Sequence, residues 1–342
     1  MNSPLLTRAG AVEADEPDTG VASHYGEPAR EGQALEYGSG WIDRSNRGVV
    51  RVTGPDRLGW LHSITSQYLE GVPAGTATEA LVMDTKGHIN HHMSIVEDGT
   101  AVWAHTEPGG AEDLARFLDS MRFMLRVEVA ELSDRRCVLT VAGPERETAL
   151  TAAAAWLDDT PVRRAEDEID LLLPSDALSP VTEALTDAGV RPVGMWAYEA
   201  HRIAAHRPRL GVDTDHRAIP HEMGWAGSAV HLDKGCYPGQ ETVARVHNLG
   251  RPPRRLVLLH LDGTPERLPE RGAAIQLDGR GVGVVGSSAR HHELGPIALG
   301  LVKRSVPVDS EFTVDGIAAA QEVIVPPDTG ANADIKLRRK PA

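Results

Sequence analysis

The sequence predicts an α+β protein in which two ferredoxin-like α+β units precede a small antiparallel β-barrel. Three observations support this fold class. Segments with strand and helix periodicity follow one another in the order βαββαβ over residues 38–134. The phrase "VTGPDR" at 52–57 returns as "VAGPER" at 141–146, which indicates a second, related unit. Beyond residue 250, short strands alternate with Gly and Asp turns.

The N-terminal segment, residues 1–37, is rich in Gly, Pro, Glu and Asp and has little periodic apolar pattern. Such a composition is typical of chain that cannot bury enough apolar surface to order itself. We therefore expect a flexible N-terminal arm that takes no part in the fold.

The first unit, residues 38–134, opens with a strand and a helix. "RGVVRVTG" at 47–54 alternates β-branched residues, and "PDRLGWLHSIT" places Pro55 in a first helical turn before regularly spaced apolar residues. Two strands, "ATEALVMD" and "HINHHMSIVED", then flank the turn "TKGH". "GGAEDLARFLDSM" predicts a second helix, and the alternation in "LRVEVAEL" predicts a closing strand.

The second unit is assigned to residues 135–250, and an alternative leaves part of 190–250 to the first unit. Its strands are predicted at "RRCVLTV" and "EIDLLLP", and its helices after "VAGPER" and through "ALSPVTEALTDAG". The β-barrel is assigned to residues 251–330, where "RRLVLLHLDG", "GVGVVGSSAR" and "IALGLVKRSV" read as strands. Residues 331–342 remain as a tail.

Composition disfavours several classes of function. The formal net charge of −14 is opposite in sign to most nucleic-acid-binding surfaces, so we expect no direct nucleic-acid partner. The two cysteines, Cys137 and Cys236, are too few for a disulfide framework or a four-thiolate metal site. The chain begins without a signal-peptide pattern and has no apolar run of membrane-spanning length. We expect a cytoplasmic protein without a membrane partner.

The stretch "KGCYPGQE" at 234–241 carries the candidate reactive group. Its glycines and Pro238 favour a sharp turn that approaches a ligand or another segment closely. Positive charge from Lys234 would favour the thiolate form of Cys236. The alternative is a small apolar residue packed under the turn, which is the role we assign to Cys137 on its strand.

Three imidazoles in "HINHH" raise the question of a metal site. His88 and His92 would share one face of a strand, as a pair of metal ligands does. Neither a carboxylate nor a cysteine completes the set locally, so a polar strand face is the preferred interpretation and no metal is predicted.

Several segments of the sequence resemble those of a known protein family. "KGCYPGQETVAR" is similar to the signature of the YgfZ-like folate-binding proteins, a branch of the glycine-cleavage T-protein (aminomethyltransferase, GcvT-like) superfamily. "VTGPDRLGWLHSITSQ", "MDTKGHI", "HRIAAHRPRLGVDTD", "GVGVVGSS" and "IALGLVKR" resemble further parts of that family, so the likeness covers nearly everything after residue 37. The resemblance implies a three-domain cloverleaf around a central hole that binds tetrahydrofolate. It also implies a role in iron–sulfur cluster assembly or maintenance, with effects on tRNA modification through iron–sulfur enzymes.

The sequence departs from the T-protein pattern at three folate contacts. The acid after the first hairpin is replaced by Asn90 or His91, the pterin-binding glutamate by Ala204, and an arginine by Gln240. A carboxylate accepts hydrogen bonds from both the 2-amino group and N3–H of a pterin, which alanine cannot do. Aminomethyl transfer is therefore disfavoured, and we expect folate to use other groups.

Two functional hypotheses follow from these observations. The favoured one is a tetrahydrofolate-binding accessory protein for iron–sulfur proteins, which act as its partners, with Cys236 as the functional thiol. The alternative is a folate-dependent aminomethyl- or methyltransferase. The predicted folate-binding residues are Lys234, Tyr237, Gly239, Gln240, Glu241, Arg202, Asn90, His91 and Glu222.

Overall fold

The computed structural model describes residues 2–330 and confirms the predicted fold class, with two five-stranded sheets and a closed six-stranded antiparallel barrel. The chain opens with a short hairpin and one helix, which lead into a strand. These elements are β1 (Val12–Glu13), β2 (Ala22–His24), α1 (Pro28–Tyr37) and β3 (Gly40–Asp43). Within the described residues, no helix is both long and apolar enough to cross a membrane. The predicted tail lies outside the described residues.

The N-terminal segment departs from the sequence prediction, because residues 2–37 are folded and do not form a flexible arm. Leu5 and Leu35 are each only 2% exposed. The Asp18 carboxylate accepts two hydrogen bonds from the Arg209 guanidinium, at 2.7 and 2.9 Å. The apolar residues are too widely spaced to produce a periodic pattern, but each enters a core that other segments build. Composition alone therefore underestimated the order of this segment.

The first sheet is antiparallel with the strand order β5-β6-β7-β4-β8. Its strands and helices are β4 (Gly48–Thr53), α2 (Arg57–Ile64), β5 (Ala77–Met83), β6 (Ile89–Glu97), β7 (Ala101–Thr106), α3 (Ala111–Ser120) and β8 (Glu128–Glu131). Apolar residues of both helices pack on one face of the sheet. The sequence analysis did not predict β7, because all of its residues are buried and the segment lacks alternation.

The second sheet has the order β10-β11-β9-β3-β12. Its later elements are β9 (Arg136–Ala142), α4 (Arg146–Leu150), β10 (Val162–Arg164), β11 (Glu168–Pro174), α5 (Leu178–Asp187) and β12 (Arg191–Val193). Strand β3 pairs with β9 and runs parallel to β12. The residues of β3 were assigned to the first unit from the sequence, yet they form part of the second sheet.

The remaining elements link the sheets to the barrel and form the barrel itself. They are α6 (Met195–Ala204), α7 (Gln240–Leu249), β13 (Arg254–Leu261), β14 (Ala274–Leu277), β15 (Arg280–His291), β16 (Gly295–Lys303), β17 (Glu311–Val314) and β18 (Ile317–Val323). Short 3₁₀ segments occur at Pro4–Thr7, Thr151–Trp156, Ser175–Ala177 and Pro220–Glu222. One core cluster contains Leu81 of β5, Ile203 of α6, Val243 of α7 and Leu299 of β16. The first sheet, both linking helices and the barrel are therefore packed together.

Candidate functional site

A cleft of about 470 Å³ opens where the two sheets, the segment after α6 and the end of the barrel meet. The first sheet contributes Glu79 and His92, and the second contributes Arg163 and Glu168. The other lining residues are Thr78, Ala165, Glu166, Asp167, His206, Arg207, Pro208, Met223, Gly224, Trp225, Ser228 and Ile324. Because clefts at the junction of structural units are common ligand sites, this central cleft is the candidate functional site.

Glu79 and His92 form a carboxylate–imidazole pair within the central cleft. They lie on neighbouring strands, and Glu79 Oε2 is 3.2 Å from His92 Nε2. The His92 ring lies against the indole of Trp225, with 4.6 Å between the ring centroids. Burial favours the neutral acid, but His92 and Arg163 outweigh it and lower the pKa of Glu79 to about 2. The cleft therefore holds an ionised acceptor beside an aromatic wall.

Behind the cleft, a buried charge network joins the two sheets. The fully buried carboxylate of Asp170 accepts hydrogen bonds from Arg163 at 2.9 Å and from the Thr140 hydroxyl at 2.6 Å. His105 of the first sheet reaches the same carboxylate through Nε2, also at 2.9 Å. Burial opposes ionisation, but His105, Arg163 and Arg44 hold the pKa of Asp170 well below its usual range. The network fixes Arg163 and so shapes one wall of the cleft.

The buried network predicts a loss of stability in mild acid. Burial lowers the pKa of His105 from its usual 6.5 to about 4, despite the neighbouring Asp170. Between these two values the unfolded chain binds a proton at this position and the folded chain does not. The unfolding free energy should therefore fall by about 1–3 kcal/mol as the pH drops from 7 to 4.5. Urea unfolding at a series of pH values measures this, and a free energy that stays constant or rises would contradict it.

The signature turn at 234–241 packs against the first hairpin. Gly239 has a φ of +83°, and a Cβ at this position would lie 2.8 Å from the Asp84 carbonyl oxygen and 2.9 Å from Gly87 Cα. Only glycine tolerates both the left-handed backbone and this close approach. The Gln240 side-chain amide donates to the Lys234 carbonyl at 3.1 Å and closes the turn. Two segments singled out in the sequence, "MDTKGH" and "KGCYPGQE", thus meet.

Lys234 anchors this turn. Its ammonium donates to the backbone carbonyls of His62, Thr65 and Gln67, the latter two at 2.6 and 3.1 Å. It also lies 4.9 Å from the centroid of the Tyr237 ring. Burial lowers the pKa of Lys234 to about 8. These three carbonyls take up the three N–H groups of the ammonium, so Lys234 supports the turn.

The two cysteines occupy opposite environments. Cys236 is exposed on the turn, whereas Cys137 on β9 is buried and burial raises the pKa of its thiol to about 12. The assignment of Cys137 to the core is therefore confirmed.

Next to Cys236, Tyr237 points into the core, and burial raises the pKa of its hydroxyl to about 12. Glu241 is exposed in the first turn of α7. Among the described residues that line the cleft, none comes from this turn.

Arg202 and Glu222, two predicted folate contacts, are held in buried ion pairs. Arg202 bonds Glu199, the Arg207 carbonyl at 2.9 Å and Asp213 at 3.1 Å. The carboxylate of Glu222 is fully buried and accepts two side-chain hydrogen bonds from Arg254, at 2.9 and 2.8 Å. Their charges are satisfied within the protein, so these side chains stabilise the framework. Their predicted contact with folate stays a prediction.

The register of β6 decides which imidazole reaches the cleft. His91 is opposite Val82 and Ile89 is opposite Met83, which leaves Asn90 as the extra residue of a β-bulge. Asn90 is exposed, and the His91 ring lies 6.2 Å from the ring of Phe117 on α3. His92 is the imidazole that lines the cleft, whereas Asn90 and His91 are not among the described residues that line it.

The histidines of "HINHH" do not converge on a common metal site in the structure. His88 Nδ1 is 3.0 Å from Asp84, while His92 pairs with Glu79. Across residues 2–330, no three His, Cys, Asp or Glu side chains are arranged to hold a metal ion.

Sequence reasoning missed most of the polar groups that line the cleft, including Glu79, Arg163, Glu168 and Arg207. One local signal was available, because Glu79 interrupts the apolar strand "ATEALVMD" with a charge. The other residues come from distant parts of the chain, and only the packing of the two sheets brings them together.

Comparisons with known proteins agree with this architecture. A family model described as the GCVT N-terminal domain matches residues 8–166. An aminomethyltransferase from Thermotoga sp. (strain RQ2) is 24% identical over 308 residues, which cover 82% of this chain and 83% of the relative. A chloroplastic protein of Arabidopsis thaliana is 26% identical over 297 residues, covering 79% of this chain and 67% of that protein.

A solved structure has a similar fold over almost the entire chain. The glycine cleavage system aminomethyltransferase T from Bartonella henselae aligns with a TM-score of 0.80 and 20% identity, covering 96% of this chain and 97% of that one. The chain therefore has the fold of the aminomethyltransferase, or glycine-cleavage T-protein, superfamily.

Proposed function

We propose that this chain is a tetrahydrofolate-binding accessory protein for the assembly or maintenance of iron–sulfur clusters in other proteins, with the Cys236 thiol as its functional group. Folate is its small-molecule partner, and iron–sulfur client or assembly proteins are its macromolecular partners. An effect on tRNA modification would arise through the iron–sulfur enzymes that perform it.

The central cleft is the observation that carries the folate part of this proposal. Its volume of about 470 Å³ lies within the usual range for small-molecule sites. An ionised carboxylate, Glu79, stands beside the aromatic pair of His92 and Trp225. A flat, hydrogen-bonding ring such as a pterin suits this combination, because it can donate along one edge and pack by its face.

The iron–sulfur part depends on the exposed thiol and on the likeness of "KGCYPGQE" to its family signature. Gly239, Gln240 and Lys234 fix the turn from below, so Cys236 is presented on a rigid support. A reactive thiol must be accessible, and this one is exposed. Because the described cleft lining excludes the turn, we assign Cys236 to contact with a partner protein and the cleft to folate.

Calorimetric titration with tetrahydrofolate tests the folate part. We expect saturable binding with one folate per chain, because one cleft of suitable chemistry lies at the junction of the described units. The matched ligand is p-aminobenzoylglutamate, which lacks the pterin and should bind far more weakly. If the titration with tetrahydrofolate shows no saturable binding, the proposal that this protein binds folate is wrong.

A folate-dependent transferase is the second candidate, favoured by relatives that are named aminomethyltransferases. The Glu79–His92 pair also has the arrangement of an imidazole oriented by a carboxylate, which suits proton transfer. Incubation with tetrahydrofolate and an aminomethyl donor separates the two candidates. Formation of 5,10-methylenetetrahydrofolate would establish the transferase and overturn the accessory role as the main function.

A further inference from the structure

The Glu79 carboxylate retains unused hydrogen-bonding capacity toward the central cleft. Its Oε2 atom takes the His92 imidazole at 3.2 Å, and Oε1 is 3.5 Å from Arg163 Nη2. An ionised carboxylate offers about four lone-pair sites, so these two contacts leave about two. The side chain is 31% exposed and lines the cleft, which makes the remaining sites accessible to a ligand.

The surroundings of Glu79 favour a flat ring that donates hydrogen bonds. The rings of Trp225 and His92 pack against each other, with 36° between their planes, and both residues line the cleft. Arg207 also lines the cleft, and its Nε and Nη2 are buried without a hydrogen-bond acceptor among the described residues. Buried donors of this kind are rare in folded proteins, and a ligand oxygen is one way to satisfy them.

Glu79 is better placed to recognise a ring than Asp167 and Glu168, two other acids of the cleft. Glu168 is buried and already pairs with Arg207 at 2.8 Å. Asp167 also contacts Arg207, at 3.2 Å. Glu79 is the acid that adjoins the aromatic wall, because its partner His92 is itself part of that wall.

We propose that Glu79 is the specificity residue of the cleft and that its carboxylate accepts hydrogen bonds from the 2-amino and N3–H groups of a 2-amino-4-oxo pteridine ring. This inference rests on the proposed folate function and adds the residue that recognises the ring. Ala204, at the end of α6, has no side-chain acceptor, whereas Glu79 on β5 supplies a carboxylate to the cleft. His92 holds Glu79 in place and acts as a positioning residue.

The test compares Glu79→Gln with Glu183→Gln, which makes the same charge change on the exposed face of α5. Tetrahydrofolate binding is measured by calorimetry for the wild type and both variants. We expect a 10- to 100-fold loss of affinity for Glu79→Gln and no change for Glu183→Gln, since a hydrogen bond to a charged group is worth about 1.5–3 kcal/mol.

A second ligand separates the loss of one hydrogen bond from a change in the shape of the cleft caused by the substitution. The 2-desamino-2-methyl analogue of tetrahydrofolate lacks the 2-amino donor, so it should bind the wild type about 10-fold or more weakly than tetrahydrofolate. Glu79→Gln should distinguish the two ligands less strongly than the wild type, because its amide keeps one acceptor oxygen but loses the charge and the second acceptor. If Glu79→Gln does not fold, as judged by near-UV circular dichroism, the comparison of the two ligands on the wild type decides.

The outcomes separate this inference from the proposed function. Wild-type binding together with unchanged affinity in folded Glu79→Gln would overturn the role of Glu79 and leave the folate proposal intact. Equal affinity of the wild type for both ligands would also overturn the role. Absence of tetrahydrofolate binding to the wild type would overturn the folate proposal and this inference together.

Discussion

Cys236→Ala is expected to abolish the rescue of iron–sulfur enzyme activity in a strain that lacks this protein, while leaving the fold intact. The side chain is exposed, so its truncation should change the unfolding free energy by no more than about 0.5 kcal/mol. The loss of rescue then reports the thiol itself, because Lys234, Gln240 and Gly239 still hold the turn. The measurement is the activity of an iron–sulfur enzyme in extracts of the complemented strain.

The matched control for this experiment is Cys137→Ala, which removes the other thiol. Cys137 lies in the core of the second sheet, so this variant should lose some stability but keep its rescue activity at moderate temperature. Full rescue by Cys236→Ala, with normal protein levels, would contradict the role assigned to the thiol.

Among the substitutions proposed here, Asp170→Asn should produce the largest loss of stability, about 3–5 kcal/mol in the free energy of unfolding. The carboxylate is fully buried and is the shared acceptor of Arg163, Thr140 and His105. Asparagine keeps the shape but removes the charge and turns part of the acceptor into a donor. Arg163 would then lose its nearest buried counter-charge, and His105 would lose the carboxylate acceptor of its Nε2–H group.

Urea unfolding of Asp170→Asn beside Asp187→Asn measures this effect. Asp187 is exposed at the end of α5, so its replacement should change stability by less than about 0.5 kcal/mol. A loss below about 1 kcal/mol for Asp170→Asn would show that the network contributes little and that the two sheets are held by apolar packing alone.

The fold class could be predicted from local patterns because most strands and helices carry their own periodicity. The repeated "VTGPDR" and "VAGPER" both precede a helix, α2 in the first unit and α4 in the second. Strand β3 shows the limit of this reasoning, since nothing in its own sequence says that it pairs with β9 and β12. Partners that lie about 100 or more residues away are set by the tertiary fold.

The candidate site was harder to predict than the fold. The bulge at Asn90 shifts the facing of β6 by one residue, and a bulge of this kind leaves no clear mark in a single sequence. Arg202 and Glu222 look available until their partners Asp213 and Arg254 are placed beside them. Gly239, in contrast, was predictable as a turn residue, because a close approach of backbone to backbone requires glycine.

We propose that the cleft between the two sheets and the barrel binds a folate by its pterin ring. A crystal structure of the protein with bound tetrahydrofolate tests it most directly. We expect pterin density beside Trp225, with the 2-amino nitrogen within hydrogen-bond distance of Glu79. Folate density elsewhere on the chain, with the central cleft filled only by solvent, would contradict it.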